Sequence, residues 1–286
     1  MKNNLKARKI KDLIFHGVIF LVTCLGIVIL LVLLIDLFHK GLSYLKPEFL
    51  ISYPSSKSPQ DSGILPGLVG SAYIILLVIV CSVPIGLATA VYLEEYAPNT
   101  RLTRFIKVNI SNLSGTPSIV YGLLGLTLFT RLFGFKRSIL SGALTLSLVV
   151  LPIIIVASQE AIRAVPQFLR HGSYAMGATK WQTIRKIVIP TAFSGILTGV
   201  ILSISRALGE TAPLLMAGAY AFVRFLPDGL FGSYTVLPIQ IYNWVSMPNE
   251  EFQKVAAAAI LVLLGFLLTT NAIAIFLRNK YQKQID

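Results

Sequence analysis

The sequence predicts an all-α, polytopic membrane protein with about six transmembrane helices. Of the 286 residues, 55% are hydrophobic and only 13% are charged. Apolar stretches of about 20 residues recur along the chain, which is the length a helix needs to cross a bilayer. The basic residues lie mainly in short segments between these stretches, where they influence topology. This distribution disfavours both a soluble enzyme and a nucleic-acid-binding protein, whose basic residues cluster on a soluble surface.

Six stretches share the length and the low charge of a membrane span: residues 13–37, 68–93, 108–130, 138–157, 192–215 and 255–277. The first follows a basic segment and so resembles a signal peptide. It is too long for a cleaved hydrophobic region, however, and no small-residue cleavage site follows it. We therefore interpret it as the first transmembrane helix.

The basic residues also predict the orientation of the chain. Six crossings place both termini on the same side of the membrane. Sixteen Lys and Arg residues then fall on that side, eight fall on the other, and Arg206 alone lies within a span. Since cytoplasmic segments carry the excess of positive charge, both termini are predicted to be cytoplasmic, in a bacterial cytoplasmic membrane.

The segment from residue 216 to residue 254, on the predicted outer side, is rich in aromatic residues. Its sequence allows a short re-entrant or surface helix near residues 235–245, or an ordinary loop anchored in the membrane surface. Aromatic side chains of this kind suit a membrane interface. The residues concerned are Tyr220, Phe225, Tyr234, Tyr242 and Trp244.

No pattern in the sequence indicates catalysis or a bound cofactor. Cys24 and Cys81 lie in apolar stretches and are interpreted as small hydrophobic residues. The three histidines lack metal-ligand spacing, so no metal site is predicted. The chain also has no Gly-x-x-x-x-Gly-Lys-Ser/Thr phosphate loop, and any ATP hydrolysis would belong to a partner.

Residues 170–190 form the most specific pattern in the sequence. Gly177 is followed after nine residues by Ile187, and then by Ile189 and Pro190. This spacing resembles the coupling loop of ABC importer permeases. In that loop, E-A-A is followed by three residues, a glycine, nine further residues and then I-x-L-P. The opening E-A-A is absent here, but the layout of a helix, a glycine turn and a second helix is kept.

A short amphipathic loop of this kind can form a helical knob that docks in a groove of a soluble partner. The coupling loop is predicted to span about residues 159–190. The alternative is a helix that lies on the membrane, with Lys180, Arg185 and Lys186 near lipid phosphates. The residues predicted to contact the ATPase are Ser173, Met176, Gly177, Ala178, Thr179, Ile187 and Pro190.

Arg206 and Glu210 place two charges inside the fifth apolar stretch. Charges within a span are costly, and four-residue spacing puts the two side chains on one helix face, where they can pair. The pair either lines an anion pathway or locks two helices together. Gly209 and Pro213 lie beside it and can open the backbone toward a cavity.

Small residues at four-residue spacing form a ridge on the same predicted helix, which indicates close helix packing within the bundle or against a second subunit. They are Gly195, Gly199, Ser203, Ala207 and Thr211.

In the third stretch, Pro117 should bend or break the helix near the bilayer midplane. Either neighbouring groups satisfy the kink, or the exposed amide groups face an anion. Thr116, Ser118 and Thr211 join Arg206 and Glu210 as candidate residues of the translocation pathway.

Four segments together resemble the PstA-type permease subunits of phosphate ABC importers. They are the coupling loop and Tyr92-Leu-Glu-Glu-Tyr-Ala-Pro98, Gly115-Thr-Pro-Ser-Ile-Val-Tyr-Gly122 and Arg206-Ala-Leu-Gly-Glu-Thr-Ala-Pro213. The resemblance implies a type I ABC importer permease-like fold over residues 64–286, preceded by a tail, a helix and an outer loop in residues 1–63. It also implies inward phosphate transport with ATP-Mg bound by another subunit.

The partners that the resemblance implies are a PstC-like second permease, two PstB-like ATPase subunits and a PstS-like phosphate-binding protein, besides phosphate and membrane lipid. A permease for another oxyanion is the nearest alternative. A membrane receptor or membrane enzyme would need a sizeable soluble domain or a catalytic cluster, and the sequence shows neither.

Overall fold

The computed structural model describes residues 2–282, and within that range the chain is helical and has no strand. Twelve α-helices follow one another: α1 (Lys2–Gly41), α2 (Pro47–Ile51), α3 (Leu65–Val91), α4 (Arg101–Ser114), α5 (Ser118–Gly125), α6 (Ile139–Arg163), α7 (Gln167–Ala175), α8 (Lys180–Thr183), α9 (Ile189–Gly209), α10 (Ala212–Ala217), α11 (Leu237–Val245) and α12 (Glu250–Gln282). The last four residues of the predicted C-terminal tail lie outside the described range.

Three π-helical turns extend these helices. Tyr92–Tyr96 continues α3, Leu126–Leu132 continues α5, and Ile184–Val188 joins α8 to α9. We call the end of the bundle that carries α7 and α8 the inner end, following the predicted orientation. The opposite end, which carries α11, is the outer end.

Five continuous helical runs are long and apolar enough to cross a membrane, which confirms five of the six predicted spans. They are Lys11–Tyr44, Leu65–Tyr96, Ile139–Arg163, Lys180–Gly209 and Glu250–Lys280. The fourth run is longer at its inner end than predicted and shorter at its outer end. It stops at Gly209, so Leu215 belongs to the separate helix α10.

The third predicted span is not one helix. The pair Arg101–Ser114 and Ser118–Leu132 is bent by 102° at a short break. The break falls at the predicted position, because Pro117 has no amide hydrogen to donate and keeps the preceding residue out of the α region. Pro117 instead occupies the position before the first turn of α5.

Helix α6 lies at the centre of the bundle, with α3 and α9 packed on it. Small residues bring the helices close together. A Cβ atom added to Gly195 would lie 2.8 Å from the Cβ of Ala161, and one added to Gly199 would overlap Ala157. The ridge of small residues thus faces α6 of the same chain, with Ser203 and Ala207 also buried.

The outer end is closed by α11, which forms the helix that the sequence allowed near residues 235–245. Tyr234 and Trp244 are completely buried there, so these two side chains pack inside the protein and do not anchor it to lipid headgroups as their type suggested. Their neighbours Tyr220, Phe225 and Tyr242 remain exposed. Burial is possible because α11 packs against both α3 and α12.

Helix α1 lies at the edge of the bundle. It packs on α12 mainly through its outer end, where Gly41 contacts the backbone of Ala257 and Ala258. Most of the large apolar side chains between residues 13 and 38 are exposed to the surroundings, as expected for a helix surrounded by lipid.

Candidate coupling and translocation sites

Residues 167–183, which comprise α7, the turn at Gly177 and α8, form a compact helical knob at the inner end. Helix α7 follows Pro166, and Gly177 then turns the chain with a φ of 79°. Only glycine adopts that conformation without steric cost. Thr179 starts α8 by a capping box with Gln182, so the helix, glycine turn and helix layout is present.

The knob is shorter than the predicted coupling loop. Ile187 lies in the π turn Ile184–Val188, and Pro190 is the second residue of α9. Both therefore belong to the helical run that crosses the membrane. Pro190 has no amide hydrogen to donate, and it lies just after the π turn, where the α-helical hydrogen-bond pattern is interrupted.

Arg170 anchors the knob to the ends of two spans. Its Nε and Nη2 atoms donate to Oε1 of Glu95, at 3.2 and 2.9 Å. Its Nη1 and Nη2 atoms also donate to the carbonyl oxygens of Val165 and Ile162, at 2.6 and 2.9 Å. Arg170 and Glu95 are both buried, so one planar guanidinium holds α7 against the last turn of α6 and the end of α3.

Further contacts surround this anchor. The carboxylate of Glu94 accepts bonds from Lys107 at 2.9 Å and from Arg163 at 2.8 Å. The ammonium group of Lys180 lies 5.0 Å from the ring centre of Tyr96, within cation–π range. The knob is therefore joined to the inner ends of α3 and α6, and Glu94 links the end of α3 to the middle of α4.

The knob is also held together internally and presents apolar side chains outward. The hydroxyl groups of Ser173 and Thr183 are 2.8 Å apart and link α7 to the end of α8. Met176, at the turn, is 88% exposed. Other large apolar side chains exposed on the knob are Phe168, Tyr174 and Trp181. Such a patch is typical of a surface that contacts a partner.

We expect substitution of Gly177 to disable the knob without preventing membrane insertion. Gly177→Pro removes the amide that donates to the Tyr174 carbonyl at 2.9 Å, and proline cannot adopt a positive φ. Gly177→Ala would cost about 1–2 kcal/mol of local strain. Uptake of the transported substrate by cells, divided by the membrane abundance of the chain, is the measurement. We expect complete loss of uptake for Gly177→Pro and partial loss for Gly177→Ala.

Gly172 provides the matched control. It lies within α7, and a Cβ atom there would meet nothing within 4 Å. Gly172→Ala should keep uptake at the wild-type rate, since alanine is favoured over glycine inside a helix. Normal uptake by the Gly177→Pro protein would contradict the importance of the turn.

Arg206 and Glu210 do meet, but not as a buried pair on one helix face. Arg206 lies in the last turn of α9, whereas Glu210 follows the helix in extended conformation. The Arg206 Nε atom donates to Oε1 of Glu210 at 3.2 Å. The arginine side chain is 49% exposed and the glutamate 16%. Within residues 2–282 the structure records no hydrogen-bond partner for the terminal nitrogens Nη1 and Nη2 of Arg206.

The two broken helices pack against each other beyond their breaks. A Cβ atom added to Gly122 of α5 would lie 2.8 Å from the Cα of Pro213 in α10. Further toward the outer end, the Thr130 hydroxyl donates to the Ala217 carbonyl at 3.3 Å. Both helices thus run outward side by side beyond the two breaks.

The remaining candidate pathway residues lie at the two breaks. Thr116 and Ser118 flank Pro117, and Thr211 precedes α10. Each is partly exposed. Among the described residues, no recorded hydrogen bond joins them to Arg206 or Glu210.

Sequence patterns did not assign a role to four residues that the structure places beside these sites. Glu94 and Glu95 lie in the segment Tyr92–Pro98 that contributes to the family resemblance, but no pattern indicated their partners, and Arg170 was one of several basic residues in a loop. Asn271 of α12 accepts a bond from Ser205, next to Arg206, at 2.5 Å. The adjacent acids at a basic membrane boundary were the one available signal.

Helical runs able to cross a membrane several times, two paired broken helices and a knob at one end form the architecture expected of a transport permease. The chain belongs to the family of binding-protein-dependent transport system inner membrane components, whose model matches residues 82–280. It is thus an ABC importer permease.

Several relatives are similar over most of their length. The probable ABC transporter permease protein YqgI of Bacillus subtilis is 33% identical over 270 residues, covering 90% of this chain and 92% of the relative. The phosphate transport system permease protein PstA 1 of Mycobacterium tuberculosis is 39% identical over 217 residues, covering 76% and 70%. The probable PstA of Methanocaldococcus jannaschii is 31% identical over 279 residues, covering 98% and 96%.

Solved structures show the same fold. The inward-facing MetNI methionine ABC transporter matches with a TM-score of 0.57 at 19% identity, covering 76% of this chain and 94% of that one. An importer of the acidic polysaccharide alginate matches with a TM-score of 0.55 at 12% identity, covering 76% and 79%. These likenesses confirm the predicted type I importer permease fold.

Proposed function

We propose that this chain is a PstA-like subunit that moves inorganic phosphate inward through a path beside α5, α9 and α10. The guanidinium of Arg206 carries the proposal, because its terminal nitrogens are free of partners among residues 2–282 and can bind two oxygens of an oxyanion. Glu210 occupies only the Nε atom, which keeps the anion from binding too tightly for release. Thr116, Ser118 and Thr211 supply hydroxyl groups at the two breaks.

The names of the relatives support phosphate as the oxyanion. Similar proteins from M. tuberculosis and Xylella fastidiosa are named phosphate transport system permease proteins, and the one from M. jannaschii is named a probable one. A permease for another oxyanion remains the second candidate, since a bidentate arginine also fits sulfate and molybdate.

The same proposal assigns the knob to energy coupling. The exposed apolar patch of Phe168, Tyr174, Met176 and Trp181 would seat in a groove of an ATPase subunit that binds ATP-Mg. Ala178 and Thr179 would hold the turn in shape. Arg170 and Glu95 would pass the movement of the knob to α3 and α6. The remaining proposed partners are a second permease, PstC-like, a second ATPase and a PstS-like binding protein on the outer side.

Transport of radiolabelled phosphate tests the substrate. The importer would be assembled from all its subunits in proteoliposomes that contain ATP. We expect phosphate uptake that excess unlabelled phosphate abolishes and that equal concentrations of sulfate or molybdate leave unchanged. If sulfate or molybdate competes more strongly than phosphate, the chain is a permease for that oxyanion. If none of the three anions is taken up in an ATP-dependent way, both proposed functions are wrong.

Disulfide cross-linking tests the position of the knob. Cysteine at Met176, in a chain with Cys24 and Cys81 replaced by alanine, should cross-link to a cysteine in the ATPase groove. Labelling of that cysteine by lipid-soluble reagents alone would instead favour a helix that lies on the membrane.

A further inference from the structure

Helix α4 has a surface that no part of the described chain covers. None of its residues is buried. Only Thr103, Lys107, Ile110 and Ser114 are partly covered, and their spacing of four, three and four residues marks a single stripe that faces the protein. The rest of the helix circumference is exposed.

The two sides of that stripe differ in chemistry. One flank carries large apolar side chains, including the exposed Leu102, Phe105 and Leu113. The other flank carries Arg101, Arg104 and Ser111, with the exposed Val108 between the two arginines around the helix. Within residues 2–282 neither arginine has an ion-pair partner. A helix with an apolar flank beside a basic flank is typical of helices that lie in a membrane interface.

The contacts of α4 place it at the inner boundary of the bundle. Lys107, in the middle of the helix, bonds to Glu94 at 2.9 Å, and Glu94 also accepts a bond from Arg163 at 2.8 Å. Glu94 lies at the inner end of α3 and Arg163 at the inner end of α6, so the middle of α4 lies at the level where these two spans end. The axes of α4 and α5 differ in direction by 102°. Because α5 runs outward across the membrane, α4 must run nearly parallel to the membrane surface.

We propose that α4 lies in the inner leaflet interface, parallel to the membrane, and that Arg101 and Arg104 bind the phosphate groups of anionic lipids. The apolar flank enters the upper part of the acyl chains, while the basic flank remains at headgroup level. The complementary charge of anionic headgroups favours lipid over a second protein subunit as the occupant. The Lys107–Glu94 bond joins this lipid-bound helix to the inner end of α3, next to Glu95, which anchors the knob.

The depth of two side chains in the bilayer tests the orientation of α4. Leu102 and Leu113 lie on the same flank, about 16 Å apart along a helix axis. Single cysteines at the two positions, in a chain with Cys24 and Cys81 replaced by alanine, would carry a fluorophore in the assembled importer in nanodiscs. Quenching by lipids brominated at different depths should place both labels at the same level, near the headgroups.

Three outcomes would overturn the orientation. A depth difference near 16 Å would show that α4 spans the inner half of the bilayer. Equal depth at the bilayer centre would place the helix inside the membrane. Protection of both labels from every brominated lipid would show that the second permease covers the apolar flank.

The basic flank needs its own test. Brominated phosphatidylglycerol would be titrated into phosphatidylcholine nanodiscs that contain the importer, with the fluorophore on the cysteine that replaces Leu102. Two arginines at about 1 kcal/mol each correspond to roughly thirtyfold tighter lipid binding. Arg101→Gln/Arg104→Gln should therefore shift the quenching midpoint to roughly thirtyfold higher phosphatidylglycerol. Arg8→Gln/Lys9→Gln, which removes the same charge from the start of α1, should leave the midpoint within about twofold.

An unchanged midpoint in the Arg101→Gln/Arg104→Gln protein would contradict lipid binding by these arginines. Inorganic phosphate serves as the competing anion. If millimolar phosphate displaces the brominated lipid, the arginines form a site for free phosphate, and the lipid proposal is wrong.

Discussion

Replacing Arg170 by methionine is expected to abolish transport and to lower the stability of the permease. The substitution keeps the length of the side chain but leaves the Glu95 carboxylate buried without its partner. It also removes the donors to the carbonyl oxygens of Ile162 and Val165. Breaking one partner of a buried ion pair typically costs about 3–5 kcal/mol. Thermal unfolding of the purified importer and phosphate uptake would measure the two effects.

Two further variants separate the anchor from a general folding defect. Arg170→Met/Glu95→Gln removes both charges, so it should recover part of the stability while uptake stays low, because α7 is no longer held to α3. Arg163→Gln is the matched control. Its side chain is 63% exposed and its partner Glu94 keeps Lys107, so the cost should stay below about 1 kcal/mol. Full uptake by the Arg170→Met protein would refute the anchoring role.

Replacing Arg206 by glutamine is expected to reduce phosphate uptake by about 10- to 100-fold, which corresponds to losing roughly 1.5–3 kcal/mol of charged hydrogen bonding to the anion. Membrane abundance should change little, since the side chain is 49% exposed within the chain. This expectation differs from the one for a fully buried pair, for which removal of one partner would also impair folding. Initial uptake rates divided by abundance are the measurement.

The double substitution decides between a pathway role and a structural role. Arg206→Gln/Glu210→Gln should remain inactive if the arginine binds the anion, whereas recovered uptake would show that the pair only locks the helices. Arg278 offers a control in α12, where its Nη1 atom donates to the Thr198 hydroxyl at 3.1 Å. We expect Arg278→Gln to keep uptake within about twofold, because this part-buried contact involves neither Arg206 nor Glu210.

The predictions that hold are those that depend on short stretches of sequence. The length of an apolar stretch is enough to predict a membrane helix, because the lipid environment requires one. The break at Pro117 and the turn at Gly177 follow from the backbone of proline and glycine. The meeting of Arg206 and Glu210 required only their proximity in the chain. The resemblance of four segments to phosphate importer permeases indicated the family.

Other features depend on contacts between distant parts of the chain. The Arg170–Glu95 bond joins residues separated by 75 positions, and a sequence pattern does not show which acid meets which base. Trp244 is buried where α11 packs against α12, and Tyr234 is buried against Gly142 of α6. Both contacts override the preference of aromatic residues for the interface.

For the third and fifth apolar stretches the sequence determined that each would be largely helical, and it located the break at Pro117. The tertiary structure decided that α9 ends at Gly209 and which direction the chain takes after each break. Hydropathy reports how favourably a segment transfers into lipid, and it contains no information on the angle between two helices. The 102° bend after α4 and the extended conformation of Glu210 after α9 depend on packing. Contacts such as Gly122 against Pro213 are specified by the assembled bundle, because close packing depends on the shapes of both surfaces.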